Sequence, residues 1–122
     1  MPSNKDAATE FLRMAASGKA EEAGERFLGP GFKHHNPYFP AGEAILEAMD
    51  ENARQFPEKT FEVLRAIQDG DLVALHSKVR MRAGTPWIAV VHIFRFQAGR
   101  IVELWDIGQQ APPDSPNVDG MF

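Results

Sequence analysis

The segment from Ile88 to Ile107, IAVVHIFRFQAGRIVELWDI, constrains the fold more than any other part of this 122-residue chain. It reads as two long strands joined by a tight turn at Ala98-Gly99. Each strand carries an ionisable residue in apolar surroundings, His92 on the first and Asp106 on the second. Burying either group costs free energy unless it is paired or hydrogen-bonded, so protein interiors usually avoid both. A histidine and an aspartate on neighbouring strands therefore point to a lined pocket with acid/base capacity.

The turn decides whether the two residues share a face. Side chains alternate between sheet faces, so a one-residue slip moves every residue to the opposite side. A two-residue loop, Ala98-Gly99, sets Gln97 opposite Arg100 and separates His92 from Asp106. That loop requires positive φ at Ala98, which alanine resists. A three-residue loop, Gln97-Ala98-Gly99, requires positive φ only at the glycine and sets Phe96 opposite Arg100. The second register is the favoured expectation. It gathers Val90, His92, Phe94, Phe96, Val102, Leu104 and Asp106 on one face, with His92 opposite Leu104 and diagonal to Asp106. The other face then holds Ala89, Val91, Ile93, Ile101, Trp105 and Ile107, with Arg95 and Glu103 among them. It is too apolar to meet solvent. A second copy of the chain, in an isologous twofold contact, is the expected cover. A loop or the C-terminal tail is the alternative.

The length suits one domain, and the formal net charge of −4 with no Lys/Arg cluster argues against a nucleic-acid surface. There is no cysteine, which removes disulfides, thiolate catalysis and Cys-ligated metals. MPSNKDAATE holds no apolar signal core, and no apolar run is long enough to span a membrane, so a cytoplasmic protein is expected.

Helices come first along the chain. Ser3 or Asn4 can cap a helix that presents Ala8, Phe11, Leu12 and Ala15 on one stripe and ends near Gly18. A shorter helix runs from about Lys19 to Leu28 and stops at Gly29-Pro30-Gly31. An irregular segment, Phe32 to Pro40, precedes a third helix from about Gly42 to before Pro57, with Ile45, Leu46, Met49 and Ala53 inward. From Thr60 the period shifts toward two. Phe61–Ile67 and Leu72–Arg80 read as strands around an Asp69-Gly70 turn. This order predicts an α+β fold with N-terminal helices packed on one face of a curved antiparallel sheet. The tail from Ala111 is irregular, and its Met121-Phe122 end either docks on the body or a partner, or stays mobile.

Three segments, in this order, carry a resemblance. They are His35-Asn36-Pro37 through Pro40-Ala41-Gly42, then Gly70-Asp71-Leu72-Val73-Ala74-Leu75-His76, then Phe94-Arg95-Phe96 through Gly99-Arg100-Ile101 to Trp105-Asp106. Together with the ending Asn117–Phe122, they resemble the SnoaL-like polyketide cyclase branch of the nuclear transport factor 2-like superfamily over nearly the whole chain. The resemblance implies a cone-shaped α+β barrel enclosing a hydrophobic pocket, and often a dimer through the outer sheet face. It also implies that His92 and Asp106 match a catalytic pair in which the aspartate moves a proton during intramolecular aldol closure. The wider superfamily includes isomerases, dehydratases, epoxide hydrolases and non-catalytic binders, so fold kinship leaves the reaction open.

Read from the residues, Asp106 is the leading general acid/base candidate, because a carboxyl group in an apolar pocket can both give and take a proton near neutrality. His92 can orient a carbonyl or stabilise an enolate. His76, His35 and Asn36 are expected to reach the pocket, the last two from an extended stretch before Pro37. Phe32, Tyr38, Phe39, Trp87, Phe94 and Leu104 are expected to shape it around a flat apolar ligand. For each of these, plain structural packing is the competing reading. Ser77 points away from His76, no Gly-x-Ser-x-Gly turn exists, and no glycine-rich loop joins a strand to a helix. His35, His76, His92 and Asp106 could ligate zinc or iron by residue type, but no ligand-spaced motif supports a metal and no cofactor is expected.

The expected function is proton transfer beside a carbonyl of a small apolar molecule, in aldol-type cyclisation, isomerisation or dehydration. The rival is a non-catalytic dimeric small-ligand-binding protein of the same fold. A protein-interaction module using the outer sheet face is a third reading.

Overall fold

The computed structural model describes residues 2–122. Helices α1 (Asn4–Ala16), α2 (Ala20–Phe27) and α3 (Ala44–Gln55) pack on strands β1 (Leu28–His34), β2 (Thr60–Asp69), β3 (Leu72–Arg80), β4 (Ile88–Gln97) and β5 (Arg100–Gln110). The strands form one sheet in the order β1-β5-β4-β3-β2. The architecture is the expected α+β cone, with one difference. Leu28–His34, expected to be a helix end, a glycine–proline stop and the start of an irregular run, is a strand, β1, and it pairs in parallel with β5, so the sheet is mixed. Gly29-Pro30-Gly31 disguised it. The pairing skips between Leu28 and Lys33, so those residues sit in an irregularity rather than breaking the strand.

Ser3 caps α1 by accepting the Asp6 N–H at 3.1 Å. At the other end Gly18, at φ 86°, lets the Lys19 N–H return to the Met14 carbonyl at 2.9 Å. The cap of α2 comes from another helix. Buried Asp50 of α3 accepts the N–H groups of Ala20 at 2.7 Å and Glu21 at 3.3 Å, satisfying two donors that the helix itself cannot pair. That bond locks α2 to α3.

The core lies where the helices meet the inner sheet face. Phe11, Phe94, Leu75, Val73 and Ile101 are fully buried there, with the Phe11 ring edge-on to Phe94 at 6.1 Å. Among the described residues, no helix is long and apolar enough to cross a membrane.

The β4–β5 turn differs from expectation in two ways that cancel. Gln97 pairs with Arg100, so the loop is the two-residue Ala98-Gly99, with φ of 51° and 77°. The left-handed backbone at Ala98 costs about 1–2 kcal/mol. Pairing Phe96 with Ile101 brings Ile101 into the core, where its burial contributes about 1.5–3 kcal/mol. The three-residue loop would have sent Ile101 to the outer face, so burial wins. The register then shifts by one residue, with Val102 taken up as a bulge, and Arg95 pairs with Glu103. Without that shift Glu103 would face the core. With it, Leu104 and Asp106 point inward after all. His92 therefore lies directly opposite Asp106, and Leu104 lies opposite Phe94.

Ala98→Asn is expected to stabilise the fold by about 0.5–1 kcal/mol, since asparagine tolerates the left-handed region better than alanine. A thermal or urea melt reads this. A lower midpoint would mean that the turn is not strained at this residue.

Candidate functional site

The inner face divides into two halves. Toward the β4–β5 turn it is packed solid under α1 and α2. Toward the other end it opens into a cavity of about 510 Å³, lined by Leu12, Ile45, Met49, Phe61, Val79 and Val90 among others. His92 and Asp106 stand at the boundary and form part of the cavity wall. The His92 ring stacks on the fully buried Phe94 ring at 6.2 Å, so packing sets its plane.

Among the described residues His92 has no hydrogen-bond partner, and its Nδ1 is enclosed and unpaired. Desolvation, the largest influence, pushes its pKa down to about 4; the Asp106 carboxylate opposes this and the Lys59 ammonium adds to it. The imidazole is therefore neutral at pH 7. A buried N–H without an acceptor is rarer and more costly than a bare lone pair. That favours the tautomer whose proton sits on Nε2, leaving Nδ1 as the unpaired acceptor.

Asp106 is held from the loop after β1. The Asn36 Nδ2 group donates to both carboxylate oxygens, at 3.1 and 3.0 Å. The Asn36 Oδ1 accepts the Tyr38 N–H at 2.9 Å, which fixes the amide the right way round to donate. His34 braces the same loop. Its Nε2–H donates to the Pro40 carbonyl at 2.6 Å, and its Nδ1 accepts the Asn36 N–H at 3.1 Å. His34 thereby positions the residue that grips Asp106.

Of the residues expected to line the pocket, the cavity wall contains Asn36, Phe39, His92 and Asp106. The others lie elsewhere. His76 pairs across from Val91 on the outer face, where Arg65 donates to its Nδ1 at 2.7 Å. His35 also faces outward, stacked on Trp105 at 5.1 Å, with its Nε2–H donating to Glu103 at 2.6 Å. That bond, together with Arg95 and Lys33, holds the Glu103 carboxyl below its ordinary range against the opposing effect of burial. Trp87 lies under Lys78 and Arg80, with Phe122 edge-on at 6.2 Å. Tyr38 is 88% exposed, and its neighbour Phe39 reaches the cavity instead. Phe32, Phe94 and Leu104 belong to the core rather than the cavity wall. With His35 and His76 on the far side of the sheet, the four residues considered as metal ligands do not converge.

Sequence reading missed Lys59. It follows the Pro57-Glu58 turn and lines the cavity, with Nζ donating to Asn52 at 2.7 Å. Burial holds its pKa below the ordinary lysine value. A lysine in a loop between a helix and a strand carries no sequence signal of this kind.

No curated protein matches the sequence. Among solved structures, a loop-truncation variant of IdmH is similar at 25% identity, covering 87% of this chain and 92% of its own, with a TM-score of 0.72. Wild-type IdmH, a candidate polyketide cyclase from Streptomyces antibioticus, is 22% identical over 88% of this chain and 92% of its own, with a TM-score of 0.70. A candidate SnoaL-like polyketide cyclase from Jannaschia sp. CCS1 is 15% identical over 86% and 84% of the two chains, also with a TM-score of 0.70. The family profile described as the SnoaL-like domain matches residues 8–104, most of the length, and by that match the chain belongs to the SnoaL-like domain family.

Proposed function

We propose that this protein is a cytoplasmic, cofactor-independent enzyme that moves a proton beside a carbonyl of a small apolar substrate. The observation that carries the proposal is the Asn36 amide clasping both oxygens of Asp106, beside a neutral, unpaired His92, in one cavity. A carboxylate that is merely structural would be expected to bond backbone amides at its strand end. This one is aimed by a side chain and stays on the cavity wall.

The roles follow from the chemistry. Asp106 takes the proton from the carbon next to the carbonyl and returns it at another position. The His92 Nε2–H donates to the carbonyl oxygen, where negative charge grows as the enolate forms. A neutral imidazole that is already desolvated needs no reorganisation to do this. Asn36 positions the carboxylate. Aldol-type cyclisation, isomerisation and dehydration all begin with this abstraction, and the likeness to candidate polyketide cyclases favours the first.

The test is deuterium wash-in beside the carbonyl of a panel of flat aromatic ketones in D₂O, followed by mass spectrometry. Protein-dependent exchange is expected. Tight retention of ligands with no exchange and no product would make the cavity a receptor and overturn the proposal.

A homodimer through the outer sheet face belongs to the same reading. Ile67, Leu72 and Ile107 lie there, 64%, 40% and 66% exposed, while Phe122 docks only around Trp87 and His76. Sedimentation should show a dimer that Ile107→Lys dissociates. A wild-type monomer at micromolar concentration would contradict this.

A further inference from the structure

Lys59 is a cation with an incomplete set of partners on the wall of the cavity. Its Nζ donates to the neutral Asn52 Oδ1, and among the described residues no carboxylate lies within ion-pairing distance of it. The acidic side chains of the cavity wall are engaged elsewhere. Glu51 accepts two bonds from Arg54, at 3.2 and 2.7 Å, and Asp106 is held by Asn36. An ammonium has three donors, so Lys59 has two left. Desolvation already acts against its charge, and a charged group kept in such a place without a counter-ion calls for one. Its field also reaches the reactive pair, since it disfavours protonation of His92.

We infer that Lys59 and Asn52 form an anion-binding subsite, and that the natural ligand is a flat carbonyl compound bearing an ionised oxygen, as in a keto acid or an acidic phenol. The ligand's anionic end sits at Lys59 and its reacting carbonyl at His92. This deepens the proton-transfer reading and takes from it only the placement of the carbonyl. The surrounding wall, made of Leu12, Ala16, Met49 and Phe61, provides the apolar contact between the two ends. A neutral ligand of equal shape would leave the ammonium desolvated and unpaired, so the site discriminates by charge. The same cation favours an enolate over the ketone it comes from, so the subsite also assists the chemistry.

The experiment compares 2-naphthoate with its neutral isostere 2-naphthamide by isothermal titration calorimetry. Wild-type protein should bind the carboxylate at least about tenfold tighter, a preference on the order of a single charge-assisted hydrogen bond. Lys59→Met should abolish the preference while still binding the amide, which shows that the cavity is intact. Lys59→Arg should retain it. Equal binding of the two probes by wild type, or an unchanged preference in Lys59→Met, would overturn the subsite. Asp106→Asn should keep the preference although it loses exchange, so the two proposals can fail separately. Exchange without charge preference removes the subsite alone, and charge preference without exchange removes the proton-transfer reading alone.

Discussion

Asp106→Asn is expected to slow hydron exchange beside the substrate carbonyl by about 10²–10⁴-fold, the usual contribution of a positioned general base. The substitution keeps the shape and leaves a carbonyl oxygen to accept from the Asn36 Nδ2, so stability should change by no more than about 1 kcal/mol. Ligand affinity should also persist, because the apolar wall is untouched. The combination is diagnostic: binding retained, melting retained, exchange lost. Asn36→Ala should give a smaller loss, since it removes the aim of the carboxylate and not the carboxylate itself. If Asp106→Asn exchanged at the wild-type rate, the base would have to be another group.

Acid should destabilise this protein at a higher pH than carboxylate protonation alone would allow. The folded His92 has its pKa pushed down to about 4, whereas an exposed histidine in the unfolded chain titrates near 6.5. Between those values the unfolded chain binds the extra proton and the folded one does not, so stability rises with pH across the window. It is fully present above about pH 6.5 and is lost progressively toward pH 4, amounting to about 3 kcal/mol. Glu103 acts in the same direction at lower pH. Its folded pKa lies below the ordinary value, so its stabilising effect is lost only as the pH falls below about 4.5. Urea melts at pH 7, 6, 5, 4 and 3 separate the two. His92→Gln should flatten the upper part of the curve and leave the lower part. An upper part unchanged in His92→Gln would assign the acid sensitivity to another group.

The helices, four of the five strands and the family were legible because periodicity and turn residues are local signals. Ala8, Phe11, Leu12 and Ala15 fall on one stripe and are buried together. The pairing of His92 with Asp106 was legible only in outcome. The expected three-residue turn does not form, yet the inward direction of both residues survives because the bulge at Val102 offsets the shorter loop. A bulge leaves no mark in the sequence. It is selected by the non-local need to keep Glu103 out of the core and beside Arg95. β1 was hidden for a related reason, since its glycines and proline oppose a strand while the edge of β5 supplies its pairing.

The outlying site residues failed on parity and on partners. His76 shares a sheet face with Leu72 and Ala74. The whole group, however, faces outward, because Ala74 pairs with Ile93 and Leu72 with Arg95. His35 and Asn36 were treated as a pair, but adjacent residues in an extended segment diverge. His35 goes to Glu103 on the outer face and Asn36 to Asp106 on the inner. Lys59 could not have been found without coordinates, because only the fold brings its loop over the cavity.

The central claim is that an uncharged imidazole and a carboxylate face each other across two strands on the wall of one cavity. Long-range ¹H–¹⁵N correlation spectra of the four histidines, recorded from pH 7.5 to 3.5, test it directly. The account predicts that the His92 ring is neutral at pH 7 with its proton on Nε2 and a midpoint near 4, and that Asp106→Asn moves the midpoint lower still, because the carboxylate is what favours the charged ring. A His92 midpoint at or above about 6.5, or one that Asp106→Asn leaves unmoved, would place the two groups in solvent or apart, and the proposed chemistry would have no site.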